Sequence, residues 1–286
     1  MSVPIIDNQR EILDSLICER LSSNPDNKDV IKYLVSGRNP KLVEKIQRED
    51  SWKEDESNIT SYYLVKTKSG IVLAFFALRC GEIFKPVQEE LIARAKLYLE
   101  NKAILEDTKT EYEEKKKAAD VIILLVRQGW TDKIAKAFMR KAARRAADAK
   151  TDSNKHTHRV SEVLSAVELT LFCNNDATGV KEEWENFGLP QRRGVSIFWH
   201  LIMPKIQYLT NIVGCEYLYL FAADDDSDGT LVNYYKDAFH FTSPVDMGSN
   251  KPTFDYGCFF LCQQVNVLLQ YSQYFYDHFN PDANAV

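Results

Sequence analysis

The sequence predicts a mixed α/β fold with a helical insertion, and three observations predict it. Short runs rich in aromatic and branched residues fall at 62–66, 71–78, 163–173, 217–221 and 254–265, with helix-like periodicity between them. A charged, helical stretch from Lys85 to Lys150 separates the first two runs from the others. The chain's 286 residues, 45% apolar and 27% charged, suffice for one large domain or two small ones with a core that needs no disulfide or metal. That composition excludes disordered and collagen-like classes.

Each element has its own signal. Asn8 can cap a helix whose Ile12, Leu13, Leu16, Ile17 and Leu21 recur at helical spacing. Asn39-Pro40 supplies a second cap and a first-turn proline before Leu42, Val43 and Ile46. Thr67-Lys68-Ser69-Gly70 between two strand-like runs reads as a hairpin turn. In the insertion, Glu111 to Lys117 is a solvated helix face, and 121–126 is too short an apolar run to type by periodicity. Lys133, Lys136, Arg140, Lys141, Arg144, Arg145, Lys150, Lys155 and Arg159 then form a basic strip, notable on a chain of net charge −5. Its plainest reading is one face of an amphipathic helix with Ile134, Ala137, Phe138 and Ala142 opposite; nucleic acid or an acidic protein is the other. Beyond it the order is strand at 163–173, polar loop at 174–193, helix at 194–213 ending on Gly214 and bent by Pro204, strand at 217–221, helix at 228–239 and strand at 254–265. Val267 to Phe279 reads as a terminal helix that docks aromatics on the core or on a second subunit.

One junction carries chemistry. In Gln191-Arg192-Arg193-Gly194-Val195-Ser196 a glycine and a small residue open a helix, where unpaired N–H groups and the helix dipole favour an anion such as a pyrophosphate. Before it stands the strand Ala166-Val167-Glu168-Leu169-Thr170-Leu171-Phe172-Cys173, and after it a strand and the helix Asn233-Tyr234-Tyr235-Lys236 leading to Phe241. This order resembles the GNAT superfamily of acetyl-CoA-dependent N-acyltransferases. Gln191, Gly194 and Ser196 match that family's Q/R-x-x-G-x-G/A loop, and 234–241 is similar to its Tyr-x-x-x-Gly-Phe element, with Ser196, His240 and Asp228 as departures.

The resemblance implies a central mixed, mostly antiparallel sheet flanked by helices. It covers about 1–81 and 161–265 and leaves 82–160 unexplained, so the chain reads as a single domain over 1–286: N-terminal helices at 1–58, a strand hairpin at 59–81, a helical insertion at 82–160, an acetyl-CoA-binding core at 161–265 and a C-terminal helix or tail at 266–286. The resemblance implies acetyl-CoA as co-substrate, with backbone near Leu171, Phe172 and Cys173 pairing with pantetheine and Gln191, Arg192, Arg193, Gly194, Val195 and Ser196 holding the phosphates. An amine attacks the thioester directly; Glu168 is the candidate base, and Tyr235, with Tyr234 kept open, the candidate acid. The oxyanion donor falls to a backbone N–H at Phe172 or Cys173.

Other signals point elsewhere more faintly. Asp224 to Gly229 fits half of a calcium loop, but its twelfth position is Tyr235. His156 and His158 have no ligand cluster beside them, and the six cysteines form no C-x-x-C pair, so no metal is expected. Cys173 lacks a paired base, and no G-x-G-x-x-G follows a strand. The N-terminus lacks a signal-peptide pattern and no apolar run nears ~18 residues, so a cytoplasmic protein without membrane partners is expected. The expected activity is acetyl transfer to a small-molecule or protein amine. An RNA-directed acetyltransferase of the toxin type and a non-catalytic GNAT-like interaction module are the alternatives.

Overall fold

Six strands hydrogen-bond in chain order in the computed structural model, which describes residues 7–85, 88–149, 163–223, 229–245, 247–249 and 258–277. They are β1 (Ile17–Arg20), β2 (Ser61–Lys66), β3 (Val72–Phe84), β4 (Val163–Asn174), β5 (Tyr217–Ala223) and β6 (Cys258–Gln264). All neighbours are antiparallel except β4 and β5. The β2–β3 turn is tight: Thr67 N donates to Ile71 O, and Gly70 takes the positive φ of 87° that a side chain would resist. A parallel pair needs a crossover, which α8 (Val180–Asn186), α9 (Arg193–Ile197) and α10 (Met203–Val213) provide. The fold is therefore the mixed, mostly antiparallel sheet flanked by helices that the sequence predicts.

Both faces of the sheet are covered. On one, Val167, Leu169, Leu218, Leu220 and Leu261 pack against Ile197, Ile202, Met203 and Ile206 of the crossover, Phe239 of α11 (Thr230–Phe239) and Leu268 of α12 (Val265–Asp277). On the other, Tyr62, Leu64, Phe75, Ala77, Leu171 and Cys173 meet Val43 and Ile46 of α3 (Pro40–Gln47) and Trp52 of α4 (Glu49–Glu56). Leu169 and Leu171 would share a face in a regular strand. They do not, because Ala77 pairs with Leu171 while Leu78 pairs with Leu169, which leaves Thr170 as an extra residue in β4.

The stretch between β3 and β4 is helical: α5 (Gln88–Glu106), α6 (Tyr112–Arg127) and α7 (Asp132–Ala149). Leu91, Ala95, Tyr98, Leu125, Trp130 and Ala135 form a cluster of their own there, touched by Val245. The run at 121–126 is thus helix. Lys133, Lys136, Arg140 and Lys141 are exposed on α7 and Ala135 is buried, so the described part of the basic strip is an amphipathic helix face.

Three segments depart from expectation. The helix begun at Asn8 ends as α1 (Asp7–Asp14), because Ile17–Arg20 pairs with Lys66–Tyr63 of β2 instead of continuing the coil of α1. The polar loop at 174–193 contains α8, whose Trp184 is buried and donates from Nε1 to Gln191 O at 3.2 Å. The bend at Pro204 takes the form of a π turn at Phe198–Ile202, which joins α9 to α10 without leaving right-handed helical dihedrals. Proline has no N–H for the i−4 bond, and the wider turn just before it absorbs that loss.

Candidate active site

β4 and β5 part soon after they meet. They pair only at Ala166, Val167 and Glu168 with Tyr217, Leu218 and Tyr219, while β4 runs on beside β3 as far as Asn174. From Leu169 to Asn174 the edge of β4 that faces β5 has no strand partner, and backbone N–H and C=O groups in such a position call for one. Five residue steps at ~3.3 Å make this edge about 17 Å long.

At the far end of that edge lies the N-terminus of α9. Arg192 is its N-cap with extended dihedrals, and Gly194, Val195 and Ser196 in its first turn are buried. A Cβ on Gly194 would stand 3.3 Å from the Tyr234 hydroxyl and 3.4 Å from Asn174 Nδ2. The end of β4, the start of α9 and a tyrosine from the middle of α11 thus converge on a residue whose missing side chain leaves room for little besides backbone.

The polar atoms here are short of partners. Among the described residues, eight buried side-chain N and O atoms have no hydrogen bond, and six of them lie at this junction: Asn174 Oδ1, Gln191 Oε1 and Nε2, Arg193 Nε and Nη1, and Ser196 Oγ. Arg193 also has Asp176 Oδ1 at 3.5 Å, and burial lowers its pKa from the ordinary guanidinium value. A buried guanidinium with so little compensation is costly, and an anion would offset that cost. The residues present therefore fit a bound pyrophosphate.

Glu168 sits at the point where β4 and β5 separate. It is 3% exposed, and its Oε2 accepts from Arg79 Nη2 at 2.5 Å, Arg79 Nε at 3.1 Å and the Tyr219 hydroxyl at 3.2 Å. Burial, and next to it the Glu168 charge, pushes Tyr219 up to about 12, with Ser249 opposing.

The two tyrosines left open by the sequence part company. Tyr235 is buried, its ring 5.7 Å from Phe239 and 6.1 Å from Phe241, and burial drives its hydroxyl far above the ordinary value. Tyr234 instead brings its hydroxyl to Gly194; burial raises it to about 12, partly countered by Arg192 and Arg38. His240 adopts the left-handed conformation, φ 58°, that a glycine would serve, with Phe241 after it. Four residues before His240 stands Lys236, so the motif's tyrosine position holds a lysine. Cys173 is buried and its thiol pushed up by desolvation, with its Sγ on Asn174 O at 3.3 Å, which suits packing better than nucleophilic attack.

The unpaired backbone edge of β4 at Leu171, Phe172 and Cys173 leads to the Gln191–Ser196 loop, while the Leu171 and Cys173 side chains pack on the α3–α4 face and the Phe172 ring lies 6.2 Å from that of Phe239 on the other. Glu168 stands where that edge begins. Sequence reading missed Arg79, Asn174 and Tyr219. Asn174 directly follows a named strand, whereas Arg79 is set opposite Glu168 by a β3–β4 pairing that no local pattern signals. His156, His158 and 224–228 lie outside the described residues, among which no helix is long and apolar enough to cross a membrane and no three metal-ligating side chains cluster.

No protein-family model matches the chain, and no curated protein does. Solved structures similar in outline include the AtaTR structure bound with AcCoA, at 11% identity over 90% of this chain and 98% of that one with a TM-score of 0.45. AtaT complexed with acetyl-methionyl-tRNAfMet is another, at 10% identity over 90% and 98% with a TM-score of 0.40. The KacTA–DNA complex is a third, at 10% identity over 90% and 98% with a TM-score of 0.42.

Proposed function

We propose that the chain is an acetyl-CoA-dependent N-acetyltransferase that passes the acetyl group directly to an amine within a ternary complex. The observation that carries this reading is the set of unpartnered buried polar atoms around Gly194, placed at the end of an unpaired strand edge. Backbone N–H groups at the start of α9, with the side chains of Asn174, Gln191, Arg193 and Ser196, take the pyrophosphate. The open edge of β4 near Leu171, Phe172 and Cys173 pairs with the amides of the pantetheine arm. The thioester then reaches the vertex at Glu168, where the arm runs out of free strand.

Glu168 receives the acceptor as an ammonium and takes its proton, so that the neutral amine attacks the carbonyl carbon. The C–N bond forms, the C–S bond breaks and CoA leaves as a thiolate. A thiolate is a competent leaving group; the nitrogen sheds its second proton to solvent water as the amide forms, and the thiolate takes one from the same water, so no dedicated acid is needed. Tyr234, beside Gly194, belongs with the phosphate cradle. Tyr235 supports the packing of α11.

Calorimetric titration with acetyl-CoA tests the reading. Binding is expected, and Gly194→Trp should remove it, since an indole would fill the space shared with Tyr234 and Asn174. No heat and no thermal shift at saturating acetyl-CoA would overturn the transferase reading and favour an interaction module.

A further inference from the structure

On the sheet face opposite α10, the strand register sets Arg79, Glu168 and Tyr219 side by side on β3, β4 and β5. The Glu168 side chain is 5% exposed and that of Arg79 is 46% exposed. A buried carboxylate at the cleft vertex therefore lies beneath a guanidinium that opens to solvent. Arg79 also lies within electrostatic reach of Glu54, whose oxygens are engaged by Lys45 Nζ at 3.0 Å and the Tyr62 hydroxyl at 2.5 Å. Lys45, Glu54, Arg79 and Glu168 form a row of alternating charge that sums to zero.

A simple cationic amine fits this row poorly, because its approach to Glu168 brings it against the Arg79 charge. An amine with its own anion fits well. Arginine offers five N–H donors in a planar fork, and Arg79 turns Nε and Nη2 toward Glu168, which leaves others for a second carboxylate. We propose that the acceptor is a zwitterionic amine such as a free amino acid, its ammonium received by Glu168 and its carboxylate, a short carbon link away, by Arg79. This rests on the transferase reading and gives it a substrate class.

The test uses the full chain, acetyl-CoA, and a panel of free amino acids alongside the same amino acids as carboxamides. Acids should show kcat/KM about tenfold or more above their amides, the ratio a lost charge-assisted pair predicts. Arg79→Gln should bring the ratio near one, chiefly through KM, and Arg79→Lys should keep part of it. A readout free of turnover is calorimetric binding of an N-acetyl amino acid, which should exceed that of its amide and lose the difference in Arg79→Gln. Amides that match the acids, or an acid preference that survives in folded Arg79→Gln, would overturn the zwitterion assignment. Acetyl-CoA binding is measured on every variant: if it holds while acid preference is absent, only the acceptor class falls, whereas its absence from the wild-type chain sinks the transferase reading itself.

Discussion

At Gly81 the Tyr219 ring occupies the space a side chain would fill: a Cβ there would clash with the tyrosine hydroxyl. The ring must therefore span β4 to reach β3, and on the way its hydroxyl meets Glu168. Overpacking of this kind costs about 1–3 kcal/mol. Gly81→Ala should accordingly lower the melting temperature and kcat/KM while leaving acetyl-CoA affinity unchanged; wild-type turnover in that variant would show that the Tyr219 contact does nothing for Glu168. The neighbouring tyrosines of α11 make a second pair of outcomes. Tyr234→Phe should weaken acetyl-CoA binding and spare kcat, and Tyr235→Phe should leave both unchanged, as calorimetry and steady-state rates can tell. Sequence alone could not choose between them, because adjacent helical residues point ~100° apart and the register hangs on which residue ends the helix. The left-handed His240 settles that end. Glu168 and Gly194 were legible since each sits in a local pattern, whereas Arg79 and Tyr219 enter the site only through cross-strand pairing, a property of two segments at once.

At the scale of elements, the π turn that Pro204 requires has a second consequence. It carries His200, whose Nε2 lies 3.0 Å from Asp14 Oδ1 of α1 and whose Nδ1 lies 2.6 Å from the Tyr276 hydroxyl of α12. With Nε2–H donating to Asp14, Nδ1 is free to accept from Tyr276, so the neutral ring ties both terminal helices to the turn. Arg10 lies over the Tyr276 ring at 5.1 Å and completes the charged surroundings. Burial lowers the His200 pKa below its ordinary 6.5, against an opposing pull from Asp14. In the unfolded chain the imidazole protonates at its ordinary value, so below about 6.5 the unfolded state binds more protons and stability falls as the pH falls. His240 shifts in the same direction, so wild type is best compared with His200→Gln, whose melting temperature should drop less steeply between neutral and mildly acid pH. Equal slopes would show that the junction is indifferent to the charge. Such a junction left only a weak trace in the sequence. The proline announced a bend, but β1 and α8 formed against local pattern because strand pairing at Cys18–Val65 and burial of Trp184 outweighed it.

At the scale of the molecule, the helical stretch between β3 and β4 is attached to a hairpin that closes without it. Register pairs continue outward from the cleft to Ile83–Leu164 and Phe84–Val163, so the two strands are already side by side where the insertion begins and ends. The insertion also buries its own Trp130, and it meets the rest of the chain through Val245, through Gly129 against Ser243 O and through Arg127 over Phe259 at 5.3 Å. Stability of the sheet and stability of α5–α7 are in this sense separable, as loop insertions generally are. The phosphate cradle lies at the Asn174 end of β4 and the insertion at the Val163 end, with Glu168 between them. Replacing 85–162 by a short Asn-Gly turn should therefore yield a chain that folds cooperatively and binds acetyl-CoA as before, and, if the insertion shapes the acceptor side of Glu168, one that has lost acceptor turnover. Far-ultraviolet dichroism, calorimetry and the acetylation assay separate these effects. Loss of acetyl-CoA binding in a folded product would mean that the insertion supports the strand edge itself, and retained turnover would move acceptor recognition wholly onto the sheet, to the row that ends in Arg79 and Glu168.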